Sequence, residues 1–219
     1  GAARNAGIRA RRSEFVAFLD SDDTWLPDKI ASQLDALARW PQAGFIAGAA
    51  RGIRPDGATV TRDWAALPRD GPCDLAPLLF ERNPLATPAV LVRRTLLART
   101  GLFRPCPRWA QDYDLWLRMA EHFQFYFLDE PLAQYILHDT MMTVRQKPKM
   151  QHDHAIIRRR IYQSPAFQRL SGHEQATVFL KHGMQRMIDG HSRDGRTLFR
   201  KAIAAAPARL PAYLLFGLS

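Results

Sequence analysis

Cysteine is scarce in this sequence, with only Cys73 and Cys106 among its 219 residues. Two cysteines cannot build the disulfide framework of a small secreted domain, and their spacing is not that of a zinc site. We therefore expect a reducing compartment, the cytoplasm. Long apolar runs are also missing, since none approaches the roughly 18 residues of a membrane-spanning helix. We expect any membrane contact of these residues to be peripheral.

The composition is otherwise that of an ordinary soluble globular protein, with 47% apolar and 24% charged residues. A chain of this length can bury a sizeable core. The sequence opens at Gly1, within an alanine-rich helical pattern rather than at a methionine. We expect it to be a fragment of a longer chain whose upstream part has been removed.

The net charge of +10 is concentrated in the C-terminal part of the chain. Residues 1–140 carry 17 basic and 17 acidic side chains, whereas residues 141–219 carry 14 basic and 4 acidic ones. A basic helical segment can bind nucleic acid, an anionic membrane or an acidic substrate, or it can be a solvated surface. Nucleic-acid binding would require aromatic residues interleaved with the basic ones. Since the basic segment has few of these, we expect no nucleic-acid partner.

Carboxylates are crowded in the segment VAFLDSDDTWLPDKI. Asp20, Asp22 and Asp23 follow an apolar run that predicts a buried strand. Their like charges repel one another unless water or a cation compensates them, and oxygen-rich clusters suit Mg²⁺ or Mn²⁺. The alternative is that one of these aspartates caps the helix that Pro27 predicts just downstream.

The hydrophobic pattern predicts an α/β protein. Residues 14–19 show no alternation, which is typical of a strand covered on both faces in a parallel sheet. Helices are predicted on either side of it. Further strands are predicted in GFIAGAARGI, GATVTRDW, TPAVLVRR, QFYFLD and AQYILH, and helices in DLAPLLFER and QDYDLWLRMAEHF. From about residue 150 onward the pattern is helical.

Three motifs in order resemble those of the family 2 glycosyltransferases of the GT-A fold: ARNAGI with FVAFLDSDDTWLPDKI, then AQDYDLWLRMA, then YILHDTMMT. The resemblance implies a GT-A, Rossmann-like mixed α/β sheet flanked by helices and lacking the first strands, followed by a basic α-helical tail. We accordingly expect a partial glycosyltransferase domain over residues 1–143 and a C-terminal extension over residues 144–219.

The resemblance assigns several residues to the donor side of the site. Asp22 would be the direct ligand of an Mg²⁺ or Mn²⁺ ion that bridges the diphosphate of the nucleotide-sugar. Asp20 would contact the ribose or the metal shell, with Asp23 in support. His138, in the Tyr-x-x-His segment, would approach the metal or the diphosphate from the opposite wall. Arg4 matches the family's Ala-Arg-Asn stretch near the nucleotide, although packing would explain it equally well.

On the acceptor side, the resemblance makes Asp112 the candidate general base. Family members often carry an acidic residue just before this aspartate, where this chain has Gln111. Asp114 therefore stays open as the alternative base or as an acceptor-binding residue. Trp109 is the aromatic residue expected to stack on an acceptor sugar. The alternative for Asp112 is a helix cap, because aspartate is favoured at helix N-termini.

The resemblance predicts a metal-dependent inverting glycosyltransferase. We expect a UDP-sugar donor and a hydroxyl acceptor on a glycan or lipid-linked intermediate of cell-surface polysaccharide or glycoconjugate synthesis. The Gln-x-x-Arg-Trp signature of processive synthases is absent from the sequence, which favours single additions. We expect a cytoplasmic location with peripheral contact at the inner face of the membrane through the basic tail. The alternative function is a basic membrane- or anion-binding module, catalytically incompetent as a fragment and with weak or absent nucleotide binding.

Overall fold

The structure is a computed structural model that describes residues 1–61, 67, 71–137 and 145–209. The chain divides into two compact units. The first consists of Gly1–Leu79 and Asn83–Arg158, and the second of Phe80–Arg82 and the residues from Arg159 onward. This division falls inside a helix, fifteen residues beyond the end of the predicted domain at residue 143.

Helices and strands alternate along the first unit. Its helices are α1 (Ala2–Ala10), α2 (Lys29–Arg39), α3 (Ala76–Glu81), α4 (Arg94–Thr100), α5 (Gln111–Ala120) and α6 (Lys147–Gln163), of which α3 and α6 extend into the second unit. Its strands are β1 (Phe15–Ala17), β2 (Asp23–Trp25), β3 (Ala43–Ile53), β4 (Thr59–Thr61), β5 (Val90–Arg93) and β6 (Gln124–Ile136). A short 3-10 helix, η1 (Thr87–Ala89), leads into β5.

The six strands form one mixed sheet in the order β1-β5-β3-β6-β2, with β4 also paired to β3. The pair β3 and β6 is parallel, and the other pairs are antiparallel. The centre of the sheet is dry: Phe45 of β3 is fully buried, and its ring stacks on that of Trp116 in α5 at a centroid distance of 6.5 Å. Helix α5 is thereby held against the middle of the sheet.

The strand before the aspartates differs from its prediction. It was expected over residues 14–19 in a parallel sheet, but β1 has three residues and pairs antiparallel with β5, with Val16 opposite Val92. The predicted parallel environment was therefore wrong for this strand. An apolar run indicates that the faces of a strand are covered, but it does not indicate the direction of the neighbouring strand.

One long strand, β6, replaces the two strands predicted in QFYFLD and AQYILH. It continues through Pro131, which has no N–H to donate to a ladder. The pairing with β3 shifts register at this point, between Gly48 and Ala49. A β-carbon at Gly48 would lie 2.5 Å from the side chain of Leu132, so only glycine lets the two strands approach here.

The second unit is helical, as predicted. Its helices after α6 are α7 (Pro165–Gln168), α8 (Gly172–Ile188) and α9 (Ser192–Ala205), followed by a 3-10 turn at Pro207–Arg209. Helix α8 begins with a capping box between Ser171 and Glu174, and it packs on α9 where Gly183 meets Phe199. In the ranges that the structure describes, no helix combines the length and the apolar character needed to cross a membrane.

Candidate active site

The three aspartates of the acidic segment lie between β1 and β2. The turn closes with a hydrogen bond from the Asp23 amide to the Asp20 carbonyl oxygen, at 3.1 Å. Asp22 is exposed at the tip of this turn, and Asp20 and Asp23 are half-buried. Arg4 of α1 donates to Asp20 Oδ1 at 2.5 Å, so the predicted nucleotide-binding arginine is placed beside the acidic turn.

Repulsion within this turn is visible in its electrostatics. The pKa of Asp23 is raised to about 6, first by burial and then by the charges of Asp20 and Asp22, while Arg4 opposes the shift. Capping does not explain the cluster. The N-cap of α2 is Asp28, which makes no side-chain capping bond, so neither Asp22 nor Asp23 serves that helix. The turn therefore concentrates negative charge, and Arg4 pairs with one of its carboxylates, Asp20.

The donor atoms of the turn fit a hard divalent cation, which prefers carboxylate oxygens together with water and substrate phosphates. In the described part of the chain, no group of three or more His, Cys, Asp or Glu residues is arranged to hold a metal ion. A cation at Asp22 and Asp20 would thus complete its coordination with oxygens of the substrate and of water. The predicted third ligand, His138, lies outside the described residues.

Asp112 lies in the first turn of α5, where two neutral donors hold one of its oxygens. Asn83 Nδ2 donates to Asp112 Oδ2 at 3.3 Å, and Thr87 Oγ1 donates to the same atom at 3.2 Å. The N-cap of α5 is Ala110, and no side chain caps the helix. For Oδ1, no donor is recorded among the described residues. The carboxylate is therefore oriented through one oxygen while the other stays available.

Asp114 has a different environment although it lies only two residues further on. Its side chain is 3% exposed, and it forms ion pairs with Arg118 at 3.0 Å and with Arg104 at 3.7 Å. Arg118 also donates to the carbonyl oxygens of Thr100, the last residue of α4, and of Gly101 and Leu102, which follow it. Asp114 thus fastens α5 to the end of α4, and an acceptor molecule has no access to its carboxylate in this conformation.

Aromatic packing brings the acidic turn and the start of α5 together. Phe18, which leads from β1 into the turn, contacts Phe103 at 5.4 Å and Trp116 at 5.9 Å between ring centroids. Asn5 of α1 exchanges two hydrogen bonds with the backbone of Phe103, at 2.8 and 3.0 Å. Helix α1, which carries Arg4, is therefore bonded to Phe103. Helix α5, which carries Asp112, packs through Trp116 on Phe18, whose ring contacts Phe103.

The short 3-10 helix η1 contacts both Asp112 and strand β2. It supplies Thr87 to Asp112, and it also contacts β2, the strand that begins at Asp23. Strand β2 in turn pairs with the end of β6, with Asp23 opposite Tyr135. The structure thus gathers the first and second predicted motifs, and the start of the third, around β2 and η1.

Two aromatic residues of the second motif and Trp109, which precedes it, have separate positions. Trp116 is fully buried, and Tyr113 is buried with its hydroxyl donating to the Leu79 carbonyl oxygen at 2.5 Å. Trp109 is half-buried and lines a cavity of about 360 Å³ just before α5. Of the three, Trp109 is therefore the ring that a ligand can reach.

Sequence reasoning missed Asn83, Thr87 and Lys29. The stretch with Thr87 was read as a strand, and nothing in its pattern signals a hydrogen bond to a residue in a later helix. The sequence pattern also does not predict that Lys29 is buried. This lysine is 1% exposed, donates to Gln33 Oε1 at 2.6 Å and lies 4.7 Å from the Trp25 ring centroid. Burial lowers the pKa of Lys29 to about 8. A lysine at the start of a helix ordinarily indicates solvent exposure.

Comparison with known proteins links the first half of this site to a family. Residues 1–87 match the model of the family described as Glycosyl transferase family 2. The matched range contains Arg4, the acidic turn and Thr87. Asp112 and Trp109 lie beyond it.

Curated relatives extend the similarity. An uncharacterized glycosyltransferase of Haemophilus influenzae is 26% identical over 150 residues, which cover 65% of this chain and 48% of that protein. The amylovoran biosynthesis glycosyltransferase AmsB of Erwinia amylovora is 30% identical over 138 residues, which cover 61% of this chain and 45% of AmsB. The chain therefore spans about half the length of the curated relatives it matches.

A solved structure shares the fold. S. aureus TarS superposes with a TM-score of 0.63 at 14% identity, covering 97% of this chain and 38% of TarS. At this level of identity the likeness is one of fold alone. Together with the family match, it confirms the predicted mixed α/β architecture of the GT-A type.

Proposed function

We propose that this chain is a family 2 glycosyltransferase and that it transfers a sugar from a nucleotide-sugar to an acceptor hydroxyl in polysaccharide synthesis. One observation carries the proposal: the acidic turn leads into β2, β2 contacts η1, and Thr87 of η1 holds the carboxylate of Asp112. The turn suits a diphosphate with its cation, and the carboxylate suits a proton transfer. The name of AmsB, a relative in amylovoran synthesis, supports a polysaccharide product.

The donor is proposed to bind at the acidic turn. Asp22, exposed at the tip, would hold an Mg²⁺ or Mn²⁺ ion together with Asp20. The bound ion would supply charge stabilisation for the departing diphosphate. Arg4, already paired with Asp20 at 2.5 Å, keeps that carboxylate in place and lies near enough to meet an anionic nucleotide. A UDP-sugar is the donor we expect.

The acceptor hydroxyl is proposed to react at Asp112. Oδ1 accepts the hydroxyl proton while the hydroxyl oxygen attacks the anomeric carbon of the donor sugar. The bond from that carbon to the diphosphate oxygen breaks, and its electron pair leaves with the diphosphate. Since the acceptor attacks from the face opposite the leaving group and no covalent intermediate forms, the anomeric configuration inverts. Asn83 and Thr87 hold Oδ2, so the base is oriented before the acceptor arrives.

The assignment of the base to Asp112 rather than Asp114 follows from their environments. Asp114 is ion-paired to two arginines and 3% exposed, whereas Asp112 is half-buried and its Oδ2 is bonded only by neutral donors among the described residues. A base within reach of the reacting hydroxyl typically contributes about 10²–10⁴-fold to the rate. We therefore leave Asp114 out of the proposed acceptor site.

We further propose a peripheral membrane contact through the basic C-terminal part of the chain. Residues 141–219 hold the entire net charge of +10, and anionic lipids attract such a segment at low ionic strength. Sedimentation with liposomes that contain phosphatidylglycerol should retain the protein at low salt and release it at high salt. Absence of binding at low salt would remove this contact from the proposal.

The experiment that tests the proposed function measures transfer and donor hydrolysis with UDP-, GDP- and dTDP-sugars in the presence of Mn²⁺. Asp22→Asn should abolish activity and weaken Mn²⁺-dependent nucleotide binding. Asp112→Asn should abolish transfer while nucleotide binding persists. Asp28→Asn is the matched control, because Asp28 is exposed and makes no side-chain capping bond, and because this substitution removes the same charge as the other two.

The outcomes separate the assignments. Loss of activity in both variants, with binding lost only in Asp22→Asn, would support the metal and base roles and identify the donor. Activity that survives both changes would mean that the acidic turn and the start of α5 have no catalytic role. Activity with a nucleotide-sugar other than a UDP-sugar would change only the expected identity of the donor and would leave the proposed residue roles as they are.

A further inference from the structure

The cavity in front of α5 carries an unusual combination of an aromatic ring and cations. Its volume is about 360 Å³, and it is lined by residues from the loop before α5 and from α6, namely Pro105, Cys106, Arg108, Trp109, Pro148, Lys149, His152, Asp153 and Ile156. The Arg108 guanidinium carbon lies 5.2 Å from the Trp109 ring centroid, and Lys149 Nζ lies 5.4 Å from it. Both cations flank the one large ring of the cavity.

Neither cation is neutralised by a carboxylate. Arg108 and Lys149 are exposed, and no ion pair is recorded for either of them within the described residues. The one carboxylate in the lining, Asp153, is 5% exposed and accepts a hydrogen bond from the Trp109 amide at 2.5 Å. Asp153 therefore fastens the Trp109 backbone to α6, and among the described residues it forms no ion pair with Arg108 or Lys149.

The position of the cavity relative to the proposed base limits what can occupy it. Trp109 precedes Asp112 by three residues, so their α-carbons are at most about 11 Å apart. A short oligosaccharide can bridge that distance, with one sugar on the indole and a hydroxyl of another at Asp112 Oδ1. Trp109 is fixed by its hydrogen bond to Asp153, and Asp112 is fixed in the first turn of α5. The fold therefore sets the distance between Trp109 and Asp112.

We propose that this cavity binds an anionic sugar residue of the acceptor, with the sugar ring on Trp109 and its carboxylate or phosphate between Arg108 and Lys149. The inference rests on the proposed function, because it names the acceptor class of that site. A neutral sugar would use the indole face alone and would leave both cations, which contact the Trp109 ring, without an anionic partner among the described residues. A guanidinium binds a carboxylate or phosphate through two parallel hydrogen bonds, and the ammonium group of lysine adds a point charge.

The test compares matched acidic and neutral probes by calorimetry at low and high salt. Trigalacturonate and its methyl ester share the same sugar backbone, but only the acid carries negative charge, and maltotriose phosphate and maltotriose make the corresponding comparison for a phosphate. We expect the wild-type protein to bind an acidic probe in a salt-sensitive manner and to bind its neutral counterpart more weakly. Whichever acidic probe binds identifies the anionic group as a carboxylate or a phosphate.

Variants assign the binding to the cavity. Arg108→Gln combined with Lys149→Gln should weaken binding of the acidic probe by about tenfold or more, as expected when two charge-assisted contacts are lost. Trp109→Leu should weaken binding of acidic and neutral probes alike. Lys147→Gln is the control, because Lys147 is an exposed cation on α6 that does not line the cavity.

Two results would overturn the inference: equal binding of acidic and neutral probes, or unchanged binding of the acidic probe in the double variant. Failure of the wild-type protein to bind any acidic probe would overturn it as well. Hydrolysis of the nucleotide-sugar by the wild-type protein without any acceptor tests the proposed function separately. A protein that hydrolyses the donor but does not discriminate between the probes would keep its proposed function and lose this acceptor assignment.

Discussion

Asp23 lies opposite Tyr135 in the antiparallel ladder of β2 and β6. This pairing joins the acidic turn to the end of the longest strand in the sheet. Backbone hydrogen bonds thus connect the first motif to the start of the third.

The first prediction concerns Asp112. Asp112→Asn should lower the transfer rate by about 10²–10⁴-fold, because the amide cannot accept the hydroxyl proton. Its Oδ2 position can still accept from Thr87 and Asn83, so the fold should be retained. Initial rates at saturating donor measure the loss of transfer, and the melting temperature shows whether the fold is retained. A variant that transfers sugar at the wild-type rate would exclude Asp112 as the base.

The second prediction concerns Asp114, which should show the reverse behaviour. Asp114→Asn removes the charge that holds Arg118 at 3.0 Å in a buried position. We expect the free energy of unfolding to fall by about 1–3 kcal/mol, as for a charged hydrogen bond that is broken inside a protein. Urea denaturation measures this. Because Asp112→Asn changes the same charge two residues away, a similar loss in both variants would contradict the distinction between them.

The third prediction identifies Thr87 as a positioning residue for Asp112. Thr87→Val removes the hydroxyl that donates to Oδ2 at 3.2 Å while preserving the shape of the side chain. We expect kcat to fall about tenfold while the KM for the donor is unchanged, since one hydrogen bond to a charged group is lost. Thr87→Ser keeps the hydroxyl and should recover most of the rate. If Thr87→Ser is as slow as Thr87→Val, the residue acts through packing instead.

The fourth prediction concerns the buried Lys29. Burial lowers its pKa from 10.5 to about 8 in the folded protein. Between these two values the unfolded chain binds a proton that the folded protein has lost, so this lysine makes the free energy of unfolding rise with pH across that window. Below about pH 8 both states are protonated, and the cost of the buried charge is fully present.

Lys29→Met has no proton to lose, so it should lack this rise. The difference in stability, wild type minus variant, should increase between pH 8 and pH 10.5 and stay level below pH 8. Urea denaturation of both proteins at several pH values measures the difference. The exposed Lys147→Met should show no such trend when compared in the same way. A difference that stays constant with pH for Lys29→Met would mean that burial does not lower the pKa of Lys29.

The fifth prediction contrasts two glycines. A β-carbon at Gly48 would lie 2.5 Å from Leu132 and 2.8 Å from the Glu130 carbonyl oxygen, so Gly48→Ala should destabilise the sheet by about 1–3 kcal/mol. At Gly7, in the middle of α1, a β-carbon meets nothing within 4 Å. Gly7→Ala should therefore stabilise the protein by about 0.5–1 kcal/mol. Thermal denaturation of both variants tests the opposite signs, and equal shifts would contradict the packing at Gly48.

Local patterns were enough to place most elements. Alternation and helical periodicity located α2, α5, the β3–β4 pair and the helices of the second unit, because the side chains that face a core recur with the period of the element. The same patterns failed at β2, whose three residues Asp23–Trp25 were read as a loop. So short a strand is stabilised by its partner β6, and a partner more than a hundred residues away leaves no mark on local sequence.

The candidate site divides in the same way. The sequence by itself determined which chemistry is present: three carboxylates behind an apolar run, an arginine in the preceding helix, and the motif that contains Asp112, with Trp109 just before it. These are properties of residue type and spacing. The tertiary structure decided which of them are available. Asp114 is ion-paired and Asp112 is not, because α4 and its following loop supply Arg104 and anchor Arg118 on one side of α5, while Asn83 and η1 meet the other side.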